Sequence, residues 1–167
     1  LLSVLFPNIS QLWCDNQKKF NENISKALLS FIGIGGLLVF IISLVIPYFF
    51  QLLFSDEYYE AILILEWQLW FIYIFGVISF IGTVWAAINK ERLSFKMATI
   101  NMMIMTPLLW YGSYHGGKGL AMTYLIGISI FTIIVWLVFI KSLKLQLKLS
   151  FIWLVPLTFF ISKFLFL

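Results

Sequence analysis

Charge is scarce in this 167-residue chain. Asp, Glu, Lys and Arg together occupy 11% of positions, against about 25% in an ordinary soluble domain. Hydrophobic residues make up 62%. A soluble domain of this size still exposes a large share of its surface, so this composition excludes a soluble globule. Cysteine is scarcer still. Cys14 stands alone, which excludes an intrachain disulfide and a cysteine-based metal cluster. His115 is the only histidine. With no cysteine near it and no acid in its link, it reads as a solvated interfacial side chain rather than a metal ligand. The few acids form no evident paired-carboxylate constellation for acid–base work.

What is present is a series of long apolar runs, roughly 28–50, 62–88, 97–114, 119–140 and 150–167. Each is about the length that crosses a bilayer as a helix. The layout predicts an all-α fold, a polytopic transmembrane helical bundle. Residues 1–12 are too short to cross and read as the end of a longer helix, bent near Pro7, so the chain is expected to be a fragment. Within the first full run, Gly33 and Gly36 form a small face that would let another helix approach. The net charge of +4 does not imply nucleic acid, because the bases sit beside the spans and the aromatics within them.

The charges between the runs alternate in sign. Stretches 15–27, 89–96 and 141–149 hold three Lys or Arg each, whereas 51–61 holds Asp56, Glu57 and Glu60 and no base. The positive-inside bias places 15–27, 89–96 and 141–149 in the cytoplasm, and 51–61 and 112–118 outside. Only Lys118 and, near the end of the last run, Lys163 depart from that pattern. KSLKLQLKL at 141–149 alternates like a strand, but between two spans it reads as an interfacial helix or extended linker.

Three ordered patterns resemble the polysaccharide flippases, the Wzx-type exporters of lipid-linked oligosaccharides, within the superfamily of lipid II flippases and multidrug and toxin extruders. LFPNIS at 5–10 with DNQKKFNENISKAL at 15–28 is similar to the family's Phe-Pro-x-x-Ser helix end and its basic cytoplasmic stretch. LLFSDEYYEAILIL at 52–65 resembles a Leu-Phe-Gly-x-x-Tyr-x-x-Ala pattern through Leu53, Phe54, Tyr58 and Ala61, with Ser55 in place of the usual Gly. GGKGLAMTYLIG at 116–127 resembles a Gly-x-x-Gly-x-Ala element through Gly116, Gly119 and Ala121. Ala86, Ala87, Asn89 and Lys96 also suit the family's link between two spans. The likeness covers about 1–145 and implies a partial C-terminal lobe of a MATE-like transporter, with 146–167 an additional transmembrane helix. It further implies a non-enzymatic role without cofactor or metal: moving an undecaprenyl-diphosphate-linked oligosaccharide, such as an O-antigen unit, from the inner to the outer leaflet of a bacterial cytoplasmic membrane. The implied partners are that glycolipid, the N-terminal lobe of the same transporter, and polysaccharide polymerase and assembly proteins. A small-molecule exporter, a membrane glycosyl or acyl transferase and an accessory bundle stay open beside it.

Candidate contacts follow from depth and charge. Glu66 is an acid in the first turns of a span, and intramembrane acids are often functional. It is two turns deep if the helix starts at Tyr59 and interfacial if it starts at Leu65. Trp67 and Trp70 flank it and read either as an aromatic belt or as a sugar-stacking surface. Asn101, Thr106, Thr123 and Ser129 offer neutral hydrogen bonds to sugars or to neighbouring helices. Lys90, Arg92 and Lys96 form the best basic cluster, suited to anionic lipid or to a diphosphate headgroup at the cytoplasmic mouth. Lys118, in HGGKG, is a headgroup candidate from the other side. That segment lacks the order and the strand-to-helix setting of a phosphate-binding loop and reads as a tight turn.

Overall fold

The computed structural model describes residues 13, 14, 16–53 and 59–143. The expectations for 1–12, for Asp56, Glu57 and Tyr58, and for 144–167 lie outside the described residues. Four helices follow in order: α1 (Gln17–Leu53), α2 (Tyr59–Ala87), α3 (Glu91–Ser113) and α4 (Gly116–Leu143).

α1 is longer than its apolar run. The Asn16 side chain accepts a hydrogen bond from the Lys19 amide at 3.0 Å, which caps the helix start. From there the helix continues through the polar stretch for 37 residues, about 55 Å at 1.5 Å per residue. The polar stretch is therefore not a separate link. Phe20, Ile24, Leu28 and Ile32 recur every fourth residue, and all four are buried, so one stripe of this segment belongs to the core.

The link expected at 89–96 shrinks to a turn. The Lys90 amide donates to the Trp85 carbonyl at 2.8 Å and the Asn89 amide to the Ala86 carbonyl at 3.1 Å. This is the paired closure of a Schellman helix end. It needs a left-handed residue, and Asn89 supplies it at φ 58. α3 begins immediately after, so Arg92 and Lys96 are helical. At the other end of α3, Tyr114 and His115 form the turn and Gly116 takes φ 70; α4 has already begun at Gly116, so of HGGKG, expected as a tight turn throughout, only His115 lies in the turn and the rest opens the helix.

Contacts fix the directions. Tyr73 of α2 meets Ile32 of α1, and Gly76 faces Phe31, so α1 and α2 are antiparallel. A Cβ on Gly117 would lie 3.3 Å from Ile64, Phe71 packs on Tyr124, and Trp85 packs on Phe139. α2 and α4 are thus parallel and in step. α3 joins the far end of α2 to the near end of α4, so it spans the full height. It packs mainly along α4, with Gly127 against Met105 and Leu108. α1 lies on α2. The interior is filled by large side chains, Trp70, Trp85, Phe20 and Phe139 among the most buried.

Three of the four helices are long and apolar enough to cross a membrane: Gln17–Phe50, Ile64–Ala87 and Gly116–Leu143. α3, expected as a span, is 23 residues long but carries Arg92, Lys96, Thr99, Asn101, Thr106 and Pro107, which lower its apolar content. It is therefore not among the three helices that meet the length and apolar content of a span, although it runs beside α4 over the height of the bundle.

Candidate functional site

The basic residues gather at one end. The Asn21 amide donates to the Leu143 carbonyl at 3.3 Å and the Lys90 ammonium to the Ser142 carbonyl at 2.8 Å. The start of α1, the turn after α2 and the last described turn of α4 are therefore level. Lys18, Lys19, Lys26, Lys90, Arg92, Lys96 and Lys141 all belong to this end. Lys118 is at the opposite end, in the first turn of α4, and is exposed. The grouping of 15–27, 89–96 and 141–149 on one side thus holds for the described parts of each stretch.

The Lys90, Arg92 and Lys96 cluster divides by role. Lys90 is half-buried. Its ammonium donates to the Ser142 carbonyl and lies 5.9 Å from the centre of the Trp13 ring. The Trp85 indole donates to the Ser142 hydroxyl at 3.1 Å, and that hydroxyl donates to the Phe139 carbonyl at 2.9 Å. Lys90, Trp85 and Asn21 together tie the last described turn of α4 to α1 and α2: Lys90 and Asn21 donate to the Ser142 and Leu143 carbonyls, and Trp85 to the Ser142 hydroxyl. Arg92 and Lys96 are exposed, four residues apart on one face of α3.

α2 begins at Tyr59, so Glu66 is two turns in and half-buried. The proximity of Ile64 to Gly117 puts it level with the first turns of α4, near the end of the bundle rather than at its middle. Trp67 and Trp70 point inward, 8% and 2% exposed, and Trp70 meets Tyr73 edge-on at 6.1 Å. In this arrangement their rings pack on protein.

Asn101 lies halfway along α3 and is half-buried; its side-chain oxygen is buried without a hydrogen-bond partner among the described residues. Thr106, Thr123 and Ser129 each donate to a carbonyl of their own helix, at 2.8, 2.8 and 2.7 Å, the usual resort of hydroxyls in helices. The structure does not bring these four residues and Glu66 into one constellation with Arg92 and Lys96.

Two contacts had no sequence signal. Ser142 is 52 residues from Lys90, and nothing in either segment marks the pair. Tyr73 donates to the Ile32 carbonyl at 2.7 Å and lies against Gly35 and Gly36, where a Cβ would approach it to 3.0 and 3.2 Å. Gly36 thus serves close helix approach as expected. Gly35 shares that role, whereas a Cβ on Gly33 would meet nothing within 4 Å.

These features define a polytopic all-helical membrane protein with a strongly basic end. Comparison with protein-family models, curated proteins and solved structures finds no significant match.

Proposed function

We propose that the chain is one lobe of a transporter that carries an undecaprenyl-diphosphate-linked oligosaccharide from the inner to the outer leaflet. The observation that carries this reading is the basic end, where Arg92 and Lys96 stand exposed while Lys90 is held by Ser142. Under the positive-inside bias that end is cytoplasmic, the side on which such a glycolipid is loaded. The resemblance of the ordered patterns at 5–28, 52–65 and 116–127 to the polysaccharide flippases supports the same reading. Alternating access against a second lobe is the mechanism such a device uses. No covalent step is required: the polar path has only to replace the water around a headgroup that hydrocarbon excludes.

The packed aromatic interior around Trp70, Trp85 and Phe139 favours a path along an outer face of this lobe over one among its helices. The same packing supports a second reading, an accessory bundle that braces a transporter without lining its path.

The test is reconstitution of the complete polypeptide that carries this chain into proteoliposomes containing a fluorescent undecaprenyl-diphosphate oligosaccharide. Protein-dependent movement of the glycan across the bilayer supports transport. Absence of movement across imposed ion gradients and suitable glycans, in vesicles that hold folded protein, favours the accessory bundle.

A further inference from the structure

Surface rings that carry a polar atom are confined to one height of the bundle. Among the described side chains, the exposed Trp and Tyr are Tyr48, Trp110, Tyr111 and Tyr114, between 63% and 74% exposed. Trp110, Tyr111 and Tyr114 close α3 at the end opposite the basic residues. Tyr48 on α1 is level with them. Tyr73 lies over Gly36, and equal steps from that contact along the two antiparallel helices put Tyr48 opposite Ala61, in the first turn of α2. The approach of Ile64 to Gly117 sets that turn level with the turn between α3 and α4. Exposed rings at other heights are phenylalanines: Phe31 and Phe75 at mid-height, and Phe95 beside Lys96 near the basic end. Trp67 and Trp70, for which an aromatic belt was one reading, are buried.

The α3 rings form two ladders of residues four apart, side by side on the helix. The Trp110 indole donates to the Tyr114 hydroxyl at 2.6 Å, and the centres of the Tyr111 and His115 rings are 4.8 Å apart. The Tyr114 hydroxyl accepts that bond and keeps its own proton to donate. Trp and Tyr join an apolar body to an N–H or O–H, so they settle where hydrocarbon meets headgroups. Phe has no polar atom to place there. Arg92 and Tyr114 are about 33 Å apart along α3 at 1.5 Å per residue, near the ~30 Å of a bilayer's hydrocarbon core.

We infer that Tyr48, Trp110, Tyr111 and Tyr114 form a collar seated at the headgroup boundary of one leaflet, the outer one in the orientation set by charge, and that its partner is phospholipid. Chemistry selects that occupant. The ester carbonyls and phosphate oxygens of a phospholipid only accept hydrogen bonds, and the tyrosine hydroxyls can donate them. The acyl chains just below receive the ring bodies. The two ends of the bundle are thus held at their depths by different means, cations at one and amphipathic rings at the other. α3 runs between both anchors. The inference goes beyond the transporter reading and does not rest on it, since a transporter lobe and an accessory bundle both need this end kept at a fixed depth.

The experiment uses the complete polypeptide in phosphatidylcholine vesicles whose acyl chains carry bromine either near the ester or near the chain terminus. Bromine quenches indoles close to it. The Trp110 signal is the difference between wild type and Trp110→Phe, a change that keeps an aromatic ring. A fluorescent dye on Ser113→Cys, with Cys14→Ser as background, reads the same height with all four rings in place. Both signals are expected to be quenched severalfold more strongly by the bromine near the ester than by the one near the chain terminus. Quenching by aqueous iodide with none from either lipid puts the rings in water. Strongest quenching by the deep bromine puts them inside the hydrocarbon. No quenching from any of the three means that protein covers them. Each of these outcomes overturns the collar.

Discussion

Single residues at the basic end do different work despite equal charge. Lys90 gives its ammonium to the Ser142 carbonyl and covers the Trp13 ring, while Arg92 is exposed. Lys90→Gln is expected to cost about 1.5–3 kcal/mol, the range for a hydrogen bond that involves a charged group. Arg92→Gln is expected to stay within about 0.5 kcal/mol, as surface substitutions do. Thermal unfolding in detergent separates them: Lys90→Gln lowers the midpoint, and equal midpoints for the two variants would remove Lys90 from the tie. Asn101 poses the opposite case. Its buried side-chain oxygen has no partner among the described residues, so Asn101→Leu removes an uncompensated acceptor and is expected to leave the midpoint unchanged or raised. A clear drop would show that the amide is satisfied by a group beyond the described helices.

Helix pairs depend on where glycine permits contact. At the α1–α2 crossing Tyr73 fills the notch over Gly35 and Gly36, so Gly35→Leu forces the helices apart, whereas Gly33→Ala meets open space. At the α3–α4 hairpin, a Cβ on Gly112 would collide with Thr123 and come within 3.0 Å of the Gly119 carbonyl. Gly112→Ala and Gly35→Leu are each expected to destabilise by about 1–3 kcal/mol, the usual cost of overpacking, and Gly33→Ala by far less. The ranking is read from unfolding midpoints, and a Gly33→Ala midpoint as low as that of Gly112→Ala would contradict the placement of these faces. Much of this level was legible in the sequence. The apolar runs mark α1, α2 and α4, and the one-sided bases mark their directions. The early start of α1 was hidden because Phe20 and Ile24 are isolated among Lys, Asn and Glu; only their spacing of four, continued by Leu28 and Ile32, joins them to the span. The short turn at Asn89 was hidden because one left-handed residue does what an eight-residue link was expected to do. Candidate site residues were less legible, since burial decides whether Trp70 or Lys90 meets a ligand, and burial depends on residues far away in the chain.

At the scale of the whole molecule, charge orients the bundle. Seven Lys or Arg lie at one end and Lys118 at the other among the described residues. Cys14, exposed at the basic end, reports on this without substitution. A membrane-impermeant maleimide is expected to label it in inside-out vesicles and to spare it in right-side-out ones; the reverse pattern would invert the assigned topology. Orientation matters because it decides which leaflet Arg92 and Lys96 face, and therefore from which side a headgroup enters. The measurement that bears most directly on the proposed role is the initial rate of glycolipid translocation in proteoliposomes, followed against glycolipid density for the wild-type polypeptide and for the Arg92→Gln/Lys96→Gln variant at matched insertion. The account predicts protein-dependent translocation by the wild type and a severalfold higher glycolipid density for half-maximal rate in the variant. No translocation by correctly inserted wild-type protein, or identical curves for the two, would contradict it.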